Sequence, residues 1–310
     1  MLTAVALCIL VLTGIVLRGQ DAVGALLWGW EDVTIPIATE LKHGQQVNYG
    51  VYDFPQHKQF SEAKGLAVEH IFVSWLSELA TISSAFKYAH ERNRWLMITV
   101  EPFAAEERNG HQLLRDVVDG TYDSNIMAVC GGIGSLRSPM FVRWGHEMET
   151  GDVRYPWSGA NADSYIAAYR HFADKCRAIA PKIILVWSPR GDLRLTEYYP
   201  GNAYVDFVGL SVYSLLAYDL DHFGKAKNFR ETFVPRYNRV SAFKKPVMIT
   251  EMGVSGDPEY QAHWMADFFR SVRHFPLLRT AVYFNAKDSP GVWPEKYGIP
   301  DWTIDPTIFE

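Results

Sequence analysis

The sequence predicts an α/β protein: a single (β/α)8 TIM barrel preceded by an N-terminal hydrophobic segment. Three observations predict it. Eight short apolar runs succeed one another between residues 47 and 285. Longer amphipathic stretches separate them, the rhythm of parallel strands joined by crossover helices. The span they occupy, about 250 residues, is the ordinary size of an eight-unit barrel.

In chain order, Leu2 to Leu17 form sixteen residues without a charge, with Arg18 after them. That length lies between the apolar part of an export signal and a full membrane span. Residues 1–20 are therefore expected to be a signal peptide or an uncleaved membrane anchor, 21–44 a lead-in, and 45–310 the barrel domain. The expected strands are Val47–Tyr52, Val68–Trp75, Trp95–Val100, Met140–His146, Lys182–Trp187, Val205–Val212, Val247–Thr250 and Thr280–Asn285. Most are near-continuous apolar runs, as strands buried on both faces require. Helical patterns lie at Thr81–Arg92, Asp163–Ile179 and Glu259–His274, with Asp163 and Asp257 as expected N-caps and Pro181 ending the second. A doubly wound open sheet is the rival architecture, but Gly131-Gly132-Ile133-Gly134 lacks the rest of the phosphate-binding fingerprint.

Composition narrows the function. The 310 residues carry 30 basic and 35 acidic side chains, a formal charge of −5, which argues against a nucleic-acid partner. The 10 Trp, 16 Tyr and 17 Phe suit sugar rings and a heavy core equally well. Cys8 lies in the apolar run, so Cys130 and Cys176 form either one disulfide or two buried thiols. No Cys-x-x-Cys spacing supports a zinc site, and no metal or other cofactor is expected. His146-Glu147 invites comparison with the zinc motif His-Glu-x-x-His, yet position 150 is Thr150.

Active sites of such barrels sit at the C-terminal ends of the strands. Three glutamates fall there: Glu101 after strand three, Glu147 after strand four and Glu251 after strand seven. Ionisable residues that terminate apolar strands are costly unless paired or functional. Glu147 and Glu251 lie three units apart, so they can face each other across the barrel mouth. Paired carboxyls of that kind suit a glycosidic bond, one protonating the leaving oxygen and the other acting at the anomeric carbon. Trp75, Trp144, Trp157, Trp187 and Trp293 stand at or beyond strand ends, where each either stacks on a pyranose or packs the core. Trp157 and Trp187 are the preferred platform pair. His146 either orients a carboxylate, binds a sugar hydroxyl or is structural. Arg143, two pleats deeper than Glu147, suits a buried ion pair better than substrate contact. Glu101 is either a distal sugar contact or a solvated strand end.

Arg143-Trp144-Gly145-His146-Glu147-Met148, with Tyr155-Pro156-Trp157 after it, resembles glycoside hydrolase family 26. Thr250-Glu251-Met252-Gly253 is similar to that family's nucleophile motif, and Asp206 to Tyr213 to its strand-six block. The resemblance implies a retaining barrel hydrolase in which Glu147 is the acid/base, Glu251 the nucleophile and Tyr213 the donor of a hydrogen bond to Glu251. Gly50-Val51-Tyr52-Asp53 looks like the opening strand of the family's β-glucan-cleaving members, and Glu149 stands where Asn often follows His-Glu-Met. These departures favour a β-glucan, mixed-linkage β-1,3-1,4 foremost, over mannan. The expectation is thus an endo-acting enzyme on exported polysaccharide, monomeric in its catalytic domain, with membrane contact only through the N-terminal segment. A β-mannanase of the same family is the nearer alternative. The other is a barrel that binds polysaccharide without cutting it.

Overall fold

The structure is a computed structural model that describes residues 47–53, 59–76, 80–104 and 110–309. The expected export signal or anchor and the lead-in lie outside these described residues.

Eight strands form: β1 (Asn48–Tyr52), β2 (Leu66–Ser74), β3 (Trp95–Glu101), β4 (Met140–Trp144), β5 (Ile183–Trp187), β6 (Phe207–Leu215), β7 (Val247–Ser255) and β8 (Leu278–Phe284). Neighbours in sequence pair in parallel, and β1 also pairs with β8, so the sheet closes into a TIM barrel. Closure leaves no edge strand, and every residue of β4 and β5 is buried. Side chains alternate along β4. Phe141 points inward to rings from Trp95 and Phe207. Trp144 points outward and stacks on Phe172 at 5.4 Å.

The helices are α1 (Ala80–Glu91), α2 (Gly110–Val118), α3 (Asp123–Ser135), α4 (Ala162–Ile179), α5 (Leu216–Phe223), α6 (Phe229–Ser241) and α7 (Pro258–Ser271). Asp257 caps α7 as expected, accepting from the Tyr260 amide at 2.9 Å. Asp163 does not cap α4. Asn161 does, through Oδ1 and the Ser164 amide at 3.1 Å, and Asp163 lies in the first turn near the helix's positive end. Cys130 of α3 and Cys176 of α4 form a disulfide with their Cα atoms 5.2 Å apart, which decides between the two states left open by the sequence. Between β5 and β6 the regular helix is replaced by two 3-10 turns, Leu195–Tyr198 and Asn202–Tyr204. Pro189, Gly191, Pro200 and Gly201 interrupt that stretch, the two glycines at φ +106° and +99°. No helix among the described residues is long and apolar enough to cross a membrane.

Of the strand ends that differ from expectation, two bear most on the site. β4 stops at Trp144 because Gly145 and Glu147 adopt φ values of +54° and +53°, turning the chain before His146. β7 continues past Thr250 to Ser255, with a bulge at its centre. Leu210 pairs with Ile249 but Ser211 pairs with Glu251, so Thr250 is the extra residue.

Candidate active site

The floor of the barrel mouth is built on Arg143, which is fully buried in β4. Its Nε donates to Thr99 Oγ1 at 2.7 Å and its Nη1 to Thr250 Oγ1 at 3.1 Å, with Ser188 Oγ at 3.5 Å. Its Nη2 forms an ion pair with Glu251 Oε1. Successive residues of a regular strand point to opposite faces. Thr250 and Glu251 both reach this guanidinium because the bulge in β7 re-aims one of them. The buried ion pair is the arrangement the depth of Arg143 suggested.

The second Glu251 oxygen accepts from Tyr213 Oη at 2.8 Å. Both oxygens are therefore engaged from below and beside. Glu147 is reached by the left-handed turn after β4. Its amide donates to Ser188 O at 2.9 Å, and its carbonyl accepts from the hydroxyls of Ser158 and Thr150 at 2.9 and 3.0 Å. That web holds a non-glycine residue at positive φ, a conformation worth noting in any chain. Glu147 and Glu251 are each only 7% exposed. Burial first, and the Glu251 charge second, push the Glu147 carboxyl up to about 7. Glu101 is likewise raised to about 7, by burial and by Glu251, against the pull of Arg143.

Glu101, Glu147, Tyr213, Glu251 and Trp293 all line one cavity of about 750 Å³. Four of the five candidate tryptophans do not reach it, Trp144 being the outward residue stacked on Phe172. Trp187 points away from the barrel axis and packs edge-on against Tyr199 and Phe243. Trp75 stacks on Tyr122 at 4.7 Å and donates to Phe103 O. Trp157 is buried beneath Tyr155, stacked at 4.9 Å, and donates to the His146 carbonyl at 2.7 Å. The strand period explains Trp187, which alternates with the inward Val186 and Ser188. His146 holds neither carboxylate: both ring nitrogens are buried without a hydrogen-bond partner. Burial, then the Arg143 charge, keeps its imidazole well below the usual range, so it is a neutral ring packed on Phe72, Tyr155 and Trp157.

Sequence reasoning missed the aromatic walls of the cavity. These are Tyr52, Phe72, Tyr155, Tyr218 and Phe284. Tyr52 stacks on Phe284 at 4.8 Å, joining β1 and β8. The inward parity of Phe72 and Phe284 on their strands was a usable signal, but attention to tryptophan alone passed over it. Glu149 adds a third charge that helps raise Glu147, and its Oε1 accepts from the amides of Gly191 and Asp192 at 2.8 and 3.0 Å, fastening the loop after β5. Among the described residues no group of three His, Cys, Asp or Glu is placed to hold a metal ion.

Comparison with known proteins agrees with this geometry. The family model described as "Glycosyl hydrolase family 26" matches residues 124–268, the stretch that carries Glu147, Tyr213 and Glu251. A β-1,3-xylanase of a Vibrio species is 25% identical over 210 residues, 61% of this chain and 45% of that protein. Endoglucanase H of Acetivibrio thermocellus is 26% identical over 244 residues, 74% of this chain and 26% of that protein. The chain thus spans less than half the length of these curated relatives. The solved structure of GH26C from Muricauda sp. superposes with a TM-score of 0.59 at 13% identity, covering 77% of this chain and 78% of that one, and shares the fold. The closed eight-stranded barrel is therefore the fold of known glycoside hydrolases. Residues 124–268, a little under half of the chain, are thus similar to glycosyl hydrolase family 26.

Proposed function

We propose that the protein is a retaining, endo-acting hydrolase of β-linked polysaccharide, with mixed-linkage β-1,3-1,4-glucan as its foremost substrate. One observation carries the reading: Glu147 is pushed up to about 7, so it holds a proton near neutrality, beside a Glu251 gripped by Arg143 and Tyr213. Glu251 attacks the anomeric carbon while Glu147 protonates the departing oxygen. The glycosyl-enzyme ester removes the Glu251 charge, which is the second cause of the raised Glu147. Glu147, already ionised by giving its proton to the leaving group, is thereby stabilised as a carboxylate and takes a proton from the water that completes hydrolysis with retention. Trp293, Tyr155 and the Tyr52–Phe284 stack offer the sugar faces to rest on.

The glucan preference is supported by Glu149 and the segment to Tyr155, which depart from the mannan-cleaving pattern, and by similarity to a protein named endoglucanase H. The Cys130–Cys176 disulfide supports an exported enzyme, since such bonds persist in oxidising compartments. We place it outside the cytoplasm, with a monomeric catalytic domain.

The test is hydrolysis of lichenan, barley glucan, laminarin, β-1,3-xylan, glucomannan and xylan, with linkage analysis of the products. The highest kcat/KM is expected on the mixed-linkage glucans, and Glu251→Ala is expected to abolish cleavage while substrate binding persists. Azide should rescue that variant and give a glycosyl azide of inverted anomeric configuration. Equal product release by the wild type and Glu251→Ala would sink the nucleophile assignment, and preferred cleavage of glucomannan would move the substrate to mannan.

A further inference from the structure

We infer that the cleft wall formed by Arg190, Lys227 and Arg236 is a subsite for an anionic substituent on the sugar chain, a carboxylate or a sulfate ester. This rests on the reading of the cleft as a polysaccharide site. The three side chains line the same cavity as Glu147, although they come from the loop after β5, the turn before α6 and α6 itself.

Most other charges in the cavity are already engaged. Arg154 is paired with Asp152, and Arg143 with Glu251. Asp219 accepts from Ser214 Oγ at 2.7 Å and Tyr260 Oη at 3.1 Å. Asp288 accepts from the indoles of Trp293 and Trp302 at 3.0 and 3.2 Å. Arg190 is paired with Asp192. Arg236 and Lys227 join no ion pair among the described residues. Arg236 donates only to Thr232 O, at 2.7 Å, and its Nε is buried without a partner. The Lys227 ammonium lies over the Phe223 ring, 3.0 Å from its centre.

The wall is also held in place. The Arg236 stem lies on Gly191, where an added Cβ would come within 2.7 Å of Arg236 Cγ and where φ is +106°. Glycine alone satisfies both conditions. The loop carrying Gly191 is fastened by Glu149 from one side and by Arg239 Nη1, which donates to Gly191 O at 2.7 Å, from another. Glu149 therefore positions the basic wall as well as acting on Glu147 through its charge. Asp192 and Asp219 in the same lining offset part of the wall's positive charge, yet three cations face two carboxylates there, and a neutral glycan offers the remaining charge no compensation. A carboxylate or sulfate does, because guanidinium forks take such groups through two parallel hydrogen bonds.

The test uses the full chain with three forms of one mixed-linkage glucan: neutral, partly oxidised at C6 to glucuronate, and partly sulfated. At low salt, kcat/KM on one charged form is expected to exceed that on the neutral form by about 10-fold, and the excess is expected to shrink at about 0.5 M NaCl, where charge interactions are screened. The favoured form identifies the substituent. Arg236→Gln and Lys227→Gln should each reduce the charged-to-neutral ratio. Equal or slower cleavage of both charged forms, or a ratio that survives in both variants, overturns the subsite. Calorimetry on Glu251→Ala separates the two readings. Tighter binding of a charged form, with no glucan cleaved by the wild type, would refute hydrolysis and support the subsite. Cleavage of neutral glucan without charge preference would do the reverse.

Discussion

Glu147 and Glu251 are the same residue type on the same rim, and their surroundings give them different tasks. Glu251 meets a guanidinium and a phenol, whereas Glu147 meets low polarity and a neighbouring charge. Because the Glu251 charge raises Glu147, removing it must lower Glu147. In Glu251→Gln, the Glu147 carboxyl is expected to titrate below the wild-type value of about 7, toward the ordinary glutamate value of 4.5. Carbon-13 NMR of the labelled side-chain carboxyl reads this directly, and an unchanged midpoint would assign the shift to burial and Glu149 alone. The two glutamates were legible in the sequence because charge at the end of an apolar strand is rare and costly, and Tyr213 only through the family resemblance. The neutral, packed state of His146 was not, since nothing local tells a ligand from a ring wedged between Phe72 and Tyr155.

At the scale of elements, eight strands were readable because parallel strands buried on both faces run apolar without a break. Their ends were less readable. The positive φ at Gly145 and the bulge at Thr250 are local choices that one sequence does not announce, and together they set where Glu147 and Glu251 stand. The missing helix after β5 was marked by proline and glycine but hidden by the expectation of regular alternation. The link between α3 and α4 carries its own prediction. Cys130 and Cys176 are 46 residues apart, and chain-entropy reasoning gives such a cross-link about 2–4 kcal/mol. Cys130→Ser with Cys176→Ser should lower the urea-unfolding free energy by that amount with little change in kcat. A stability equal to wild type would show that the bond does not constrain the unfolded chain.

For the whole molecule, a raised carboxyl is a liability that grows with pH. Glu147 in the folded protein holds its proton up to about 7, while in the unfolded chain it releases it near 4.5. Between those values the folded state binds the extra proton, so this group's contribution to stability falls as pH rises and levels off above about 7. Glu147→Gln stays neutral throughout. The variant is therefore expected to match wild-type stability near pH 4.5 and to exceed it by about 1–3 kcal/mol at pH 8, measured by urea unfolding. A difference that is constant with pH would contradict the linkage. The central guanidinium extends this coupling of chemistry to fold. Arg143 joins β3, β4 and β7 through Thr99, Thr250 and Glu251, and Glu251 is its only anionic partner among the described residues. In the proposed reaction, an ester on Glu251 takes away that anionic partner while Glu147, having given up its proton, becomes the carboxylate, so the negative charge crosses the cleft from one rim residue to the other. The guanidinium regains its direct counter-ion only when water releases the sugar.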